Sequence, residues 1–417
     1  MSYSLKRALT KVDSLRDYTI DTLSKLISIP TVNPPGEHYA DIASYLEECL
    51  SKLGANVRVI KVPKDIVERY YPEYADYERL IVLASVKNGK GPVFHLNGHY
   101  DVVPPGQGWS HDPFKPIMHN DKLYGRGASD MKGGIASIIT SLKVLIEESE
   151  LFSGTIEASF TPDEEIGGRT GVEYMLNSGL AKPDYAVVAE PSGLSDVWIG
   201  NKGNVWMIVE VFGRQAHGST PWLGINAFEK MVELVHLMIK ELKPKIEAKR
   251  SKYPYKDSQG AKATINIGGK VEGGAKANIV PGYYSFTIDR RVIPEETADE
   301  AAREILDFIE DAKNKIPDLN VNVKILSKSN AYVIDKDKPI VTAMTESIRE
   351  ILGEEPSVTV CIGGLDTRYF QARGIQAVTY GPGLSKVAHM ANEYVRINDV
   401  LIASKVYIKT INKLLPP

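Results

Sequence analysis

The fold is constrained most by an interruption in the pattern of this chain. Up to about residue 200, helix-like and strand-like stretches alternate. Apolar spacing predicts helices over 13–29 (Leu15, Ile20, Leu23, Leu26 and Ile27 on one face, stopped by Pro30) and 40–53 (ended by Gly54), then over 135–148 and near 171–177. Strands are predicted over 56–62, 79–86, 92–96, 154–161 and 184–190, with a short one near 123–124. Residues 63–78, rich in Tyr and acid with two prolines, read as an irregular surface insertion. At about Asn201 the texture changes. Strand 204–212 alternates (Val205, Met207, Val209, Val211), followed by helix 226–242, strands 263–271 and 283–290, helix 297–315 and strand 319–326. That β-α-β-β-α-β order predicts a two-layer, ferredoxin-like sandwich. Helix and strand alternation then resumes: helix 339–352, strand 357–362, a helix from 366, strand 376–380 and helix 398–414. The expectation is an α/β domain made of residues 1–200 and 328–417, with an α+β domain of residues 201–327 inserted in it.

Residue types that bind metals sit where strands end. The run 95–104, HLNGHYDVVP, reads as a strand that stops at Asn97-Gly98, with His99 and Asp101 beyond it on one side of the chain. A ligating imidazole usually donates its other N–H to an acceptor, and Asp101 is placed to be that acceptor for His99. Asp130 lies in the Gly-rich turn 125–134 (GRGASDMKGG), Glu164 and Glu165 follow strand 154–161, Glu190 ends strand 184–190, and His389 falls near the C-terminus. A Gly-rich turn before a helix can also bind phosphate. The GxxxxGK[ST] pattern is absent, and a carboxylate on the turn suits a cation better. In an open α/β sheet, binding groups gather beyond the carboxyl ends of strands. Mixed nitrogen and oxygen ligands favour zinc, or cobalt or manganese, over calcium or magnesium. Two imidazoles and three ligating carboxylates exceed what one open catalytic zinc takes, so two metals sharing a carboxylate fit better. Of the adjacent Glu164 and Glu165, one can ligate while the other stays free as a general base. His38, His95, His111, His119 and His236 carry no motif and are expected on the surface or in the core, and Trp109 is expected to pack.

The stretches SIPTVNPPG, GHYDVVP, GRGASDMKGG, DEEIGG, AEPS, GRQAHGSTP, NIVPG and AHMANE, in this order along nearly the whole chain, resemble the two-zinc aminoacylases. That family includes acetylornithine deacetylase, succinyl-diaminopimelate desuccinylase, aminoacylase and the bacterial glutamate carboxypeptidase. The resemblance implies a zinc-peptidase-like catalytic domain with a mixed central sheet, and an inserted ferredoxin-like α+β domain that acts as lid and builds a homodimer. It implies two Zn²⁺ per subunit, with Co²⁺ or Mn²⁺ able to substitute. His99 and Glu190 would bind different metals, Asp130 would bridge, Glu165 would join one metal and His389 the other. Glu164 would be the base and Asp101 the partner of His99. From the inserted domain, His217 would stabilise the oxyanion with help from Asn278. Arg291, in the run DRRVIP beside Arg290, would hold the substrate carboxylate, and the Gly363-Gly364 turn would face the substrate. Where the family commonly has Thr after those glycines, this chain has Leu365, so a hydroxyl that touches substrate in relatives is missing.

Composition sets the remaining bounds. A net charge of −3 favours neither nucleic acid nor an anionic membrane. No run of apolar residues is long enough to span a bilayer, and the first twenty residues lack the apolar core of a signal peptide. Cys49 and Cys361 form no CxxC pattern, and a reducing, cytoplasmic setting is expected. The function expected is a metal-dependent amidohydrolase that removes the acyl group from an N-acyl amino acid of the N-acetyl-ornithine or N-succinyl-diaminopimelate type. A zinc carboxypeptidase or dipeptidase with broad aminoacylase activity is the alternative within the enzyme class. A non-catalytic protein that binds a small ligand is the alternative outside it, and Glu164 argues against that, since a binder has no need of a free base beside a full ligand set.

Overall fold

The computed structural model describes residues 2–417, which fall into two units. The first comprises Met1–Gly200, Ile334–Thr359 and Leu365–Pro417. Its sheet runs in the order 56–61, 80–88, 154–161, 93–99, 185–188, 376–379, 196–201. The four strands from 154–161 to 376–379 are mutually parallel, and the pairs outside them are antiparallel, so the sheet is mixed. The parallel strands are buried on both faces over most of their length, and where 93–99 and 154–161 turn polar residues inward, His95 and Asn97 pair with Ser159. The helix Gly133–Glu147 is buried on nearly every side from Gly133 to Leu145, and packs against the helix Ile397–Leu414. On another part of the sheet, Val172, Met175 and Phe370 pack with Ile81, Leu83, Ala186 and Val188.

Two glycines determine how closely the layers meet. The strand Val93–His99 does not stop at Asn97-Gly98 but continues, pairing Gly98 with Phe160 and His99 with Thr161. Gly98 is there for contact rather than for a turn, because a Cβ would lie 2.9 Å from Ile135 Cγ1 of the helix above. At Gly134 a Cβ would lie 2.1 Å from the carbonyl oxygen of Ala189. Its absence lets the start of that helix sit against the end of the strand Tyr185–Val188.

Two further expectations are corrected. The helix expected over 13–29 is a pair, Tyr3–Ser14 and Arg16–Ser28, broken at Leu15. The first of these is capped by the Ser2 hydroxyl, which accepts from Leu5 N, and buries Leu5, Ala8 and Val12. The stretch 63–78 is not irregular throughout. It holds the helix Lys64–Tyr70 and a single turn at Pro72–Tyr74, and Val67 anchors it in the core. Pro63, just before the helix, presets the entry, while one buried anchor leaves little periodicity to read.

The second unit comprises Asn201–Val333 and Val360–Gly364. Its antiparallel sheet has the order 264–273, 283–292, 203–212, 320–329. Val205, Met207, Val209 and Val211 point to one face and pack with Leu234 and Met238, and with Ile305 and Ile309 of the helix Ala298–Lys315. The helix Ala227–Leu237 continues through a wider turn to Glu247, beyond the expected end at 242. Residues 328–333 and 360–364, expected in the first domain, group here instead. The strand Asn320–Ser329 runs past 327, and Val360 N donates to the Pro254 carbonyl at 2.8 Å. Among the described residues, no helix is long and apolar enough to cross a membrane.

Candidate active site

The parallel strands of the first unit deliver their polar residues to one edge. His99 ends its strand, Glu164 and Glu165 follow Thr161, and Glu190 follows Val188. Asp130 lies just ahead of the helix that Gly134 holds against Ala189. Asp130 turns its two oxygens to two imidazoles: Oδ1 lies 3.3 Å from His99 Nε2 and Oδ2 lies 3.3 Å from His389 Nε2. Each imidazole has a second carboxylate, Glu190 Oε1 at 3.4 Å from His99 and Glu165 Oε2 at 3.1 Å from His389. Glu164 belongs to the same cluster: it, His99 and Glu190 each offer an atom within 4.8 Å of the others, as do His99, Asp130 and Glu165.

Asp101 meets His99 chiefly through its backbone. His99 Nδ1 donates to the main-chain carbonyl of Asp101 at 3.0 Å, while the nearer carboxylate oxygen is at 3.4 Å. The carboxylate of Asp101 is buried and accepts from the backbone N–H groups of Glu164 and Glu165, both at 3.2 Å. One residue therefore orients the His99 ring and holds the turn that carries both glutamates.

Burial and crowding set the charges. Burial, reinforced by Asp130, pushes Glu190 up to about 8. Burial pushes Glu165 up to about 7 and holds Glu164 well above the usual carboxylate range. Burial opposes charge on His99, but Glu190, Asp101 and Asp130 outweigh it and keep the imidazolium favoured. Hydrogen bonds to Asp130 and Glu165 push His389 up to about 10. Asp130 goes the other way: despite burial, His389 and His99 hold it far below the ordinary range. Glutamates whose ionisation burial opposes, set around imidazoles and a two-sided carboxylate, form a donor set whose charge a divalent cation would balance. The residues fit a metal-ion pair on this chemistry.

Several residues that hold the site escaped the sequence reading. Glu393 is buried; its Oε1 accepts from the N–H groups of Ser129 and Asp130, and its Oε2 from Gly127 N and from Arg126 Nη1 at 2.6 Å. Arg126 Nη2 also donates to the His389 carbonyl at 3.2 Å, so this ion pair ties Asp130 and His389 together. Asp163, next to Glu164 in the chain, turns away from the cluster to Arg79 Nε at 2.7 Å, with Asn33, Tyr39 and Thr170 as further donors. Asn33 also donates to Asp101 Oδ2 at 2.8 Å. Arg368 Nη2 donates to the Gly167 carbonyl at 2.8 Å, as does the Tyr369 hydroxyl, gripping the far end of the glutamate turn. Asp366 is buried with no hydrogen-bond partner for either oxygen among the described residues, and burial pushes it up to about 6. Leu365, expected beside the substrate in place of a hydroxyl, has a buried side chain.

The other expected residues belong to the second unit. His217 is exposed on a two-residue strand, Ala216–His217, paired with Ile279–Val280. That ribbon sets it beside Asn278, whose carbonyl accepts from Gly218 N at 2.8 Å. Ser219 holds the ring through Nδ1, with its Oγ at 2.7 Å and its N at 3.2 Å. Of the two candidate arginines, Arg290 is buried in an ion pair with Glu296, whereas Arg291 points to the opposite face and keeps partial exposure. Gly363 and Gly364 form a half-buried turn in which Gly363 N meets Cys361 Sγ at 3.4 Å.

Comparison with known proteins adds kinship to this geometry. A family model described as Peptidase family M20/M25/M40 matches residues 95–413. An uncharacterized metallohydrolase of Methanocaldococcus jannaschii is 27% identical over 406 residues, covering 92% of this chain and 96% of its own length. A succinyl-diaminopimelate desuccinylase of Nitratiruptor sp. is 26% identical over 370 residues, covering 87% of this chain and 90% of its own. Among solved structures, the di-peptidase Dug1p of Saccharomyces cerevisiae superposes with a TM-score of 0.81 over 100% of both chains at 17% identity. The metallo-carboxypeptidase Sso-CP2 of Sulfolobus solfataricus gives 0.76 over 95% of this chain and 99% of its own at 22% identity. At these identities the two structures show a shared fold.

Proposed function

The chain belongs to peptidase family M20/M25/M40, and from that premise we propose a two-zinc amidohydrolase that frees an amino acid from its N-acyl derivative, of the N-acetyl-ornithine or N-succinyl-diaminopimelate type. One observation carries it: a single carboxylate, Asp130, offers one oxygen to each of two imidazoles, and each imidazole has a second carboxylate of its own. His99 and Glu190 would hold one ion, His389 and Glu165 the other, with Asp130 between them. Zinc suits that donor set, and cobalt or manganese could replace it. When bound, such ions supply Lewis acidity and a water that ionises near neutral pH.

The chain's own groups would do the rest. Glu164, held by Asp101 through its backbone N–H, takes a proton from the attacking water and returns it to the leaving amine nitrogen. His217 donates from Nε2 to the carbonyl oxygen as charge develops there, a contribution of about 3 kcal/mol for a preorganised donor, with Asn278 beside it. Arg291 holds the free carboxylate of the amino acid, and the Gly363-Gly364 turn lines the same pocket.

Peptide-bond cleavage is the second reading, favoured by solved neighbours named as a di-peptidase and a metallo-carboxypeptidase. The bond broken is an amide in both. We further propose a homodimer through the second unit, in which His217 serves the partner's site. Phe228, Val232 and Ile239 form an exposed apolar stripe along one helix, and Val271 is exposed on the edge strand 264–273. Neither cysteine forms a disulfide, which suits a cytoplasmic enzyme.

The test is hydrolysis by the zinc-reconstituted enzyme of N-acetyl-ornithine, N-succinyl-diaminopimelate and a set of dipeptides. Strong preference for one acyl amino acid supports the first reading, and broad dipeptide cleavage supports the second. No turnover of any of them overturns both.

A further inference from the structure

The sheet of the second unit has one face covered by helices and one without them. Along the strand Gly203–Phe212, Val205, Met207, Val209 and Val211 are buried under the helices, whereas Trp206 points the other way and is 40% exposed. Trp206 pairs in register with Asp289 on the neighbouring strand, and Arg291 follows two residues later on the same face. The three side chains form one unit. Asp289 Oδ1 accepts from the indole Nε1 of Trp206 at 2.9 Å, and Oδ2 accepts from Arg291 Nη2 at 2.9 Å and Nε at 3.2 Å. The guanidinium carbon lies 5.9 Å from the centre of a Trp206 ring.

Asp289 thus does two things. It holds the indole in one orientation, so that ordering the ring costs little when something stacks on it. It also occupies the Nε side of Arg291 and leaves the Nη1 side for a second carboxylate. A lone exposed aromatic needs no explanation. One locked to the guanidinium that reads a carboxylate is different, because whatever brings the carboxylate brings its α-substituent to the ring. With the guanidinium carbon 5.9 Å from the ring, an aromatic or long side chain on the bound amino acid has more surface to lay on the indole than a methyl group does.

Arg291 has this role only under the function proposed above. On that basis we propose that Trp206 selects the amino-acid part of the substrate, and that the enzyme prefers a long or aromatic side chain next to the free carboxylate over a small one. Asp289 is the residue that positions both groups.

The experiment is a comparison of kcat/KM for N-acetyl-phenylalanine, N-acetyl-leucine, N-acetyl-alanine and N-acetyl-ornithine, using the zinc-loaded full chain. The wild type should favour the phenylalanine derivative over the alanine derivative by about tenfold or more. In Trp206→Ala that ratio should collapse toward one, with the loss carried by KM rather than kcat, whereas Trp206→Phe should retain most of it. Trp206→Leu, which keeps an apolar side chain on the strand, is a second arm should the alanine variant not fold, and should lower the ratio at least threefold. A wild type that turns these substrates over without preference, or a preference that survives in the variants, overturns the proposal and leaves the amidohydrolase reading standing. A wild type that cleaves no N-acyl amino acid and no dipeptide overturns both.

Discussion

Glu164 and Glu165 are adjacent, share Asp101 as the acceptor of their backbone N–H groups, and face different partners. Glu165 looks at His389, while Glu164 stands among His99, Glu190 and the unpartnered Asp366. Glu164→Gln should lower kcat by about 10²–10⁴-fold, the usual range for a general base, while bound zinc measured by mass spectrometry stays at the wild-type level. Loss of metal together with activity would make Glu164 a ligand instead. The members of this cluster were legible in the sequence because they are metal-binding types held at strand ends and in turns by short motifs. Glu393, Asp163 and Arg79 were not, for a physical reason. They act on backbone amides or on one another across 84 to 266 residues of chain, and nothing in their local spacing marks a carboxylate whose partner lies so far away.

At the scale of elements, regular periodicity was readable and single contacts were not. The ferredoxin-like order of the second unit follows from long alternating strands and amphipathic helices. The helix Lys64–Tyr70, with one buried anchor, leaves no such signature, and Asn97-Gly98 looked like a stop because the glycine answers to a helix distant in sequence. Gly134→Ala separates the two influences. Alanine is the better helix former by about 1 kcal/mol, so local propensity alone predicts a gain in stability. The Ala189 carbonyl sits 2.1 Å from where the methyl would go, so the helix start must move away and carry Asp130 with it. The expected outcome is a lower melting temperature and weaker zinc binding, read by thermal denaturation and by competition with a chelator. A rise in stability would show that the close approach relaxes without cost.

For the molecule as a whole, Val232→Glu should convert the proposed dimer to a monomer on size exclusion with light scattering, because it places a charge on the exposed stripe of the helix Ala227–Leu237. A wild type that is already monomeric at the same concentration would count against that surface. Stability should also depend on pH in a way that metal removes. Burial lifts Glu165 to about 7 and Glu190 to about 8, and hydrogen bonds to acids lift His389 to about 10. Groups raised in the folded state stabilise it fully below their unfolded pKa and lose that contribution as pH climbs through the folded value. The chelator-stripped protein should therefore melt at progressively lower temperature from about pH 5 to pH 9, while the zinc-loaded protein should vary far less. Asp130 stays ionised across that window, which gives its two-sided placement a further meaning. A carboxylate shared by two ligand groups makes their filling a linked equilibrium, with the same coupling whichever half fills first. Under the two-ion reading proposed above, the second ion would meet a ligand already oriented and already partly neutralised, and a zinc titration would report the joint behaviour of a pair, not two copies of one independent site.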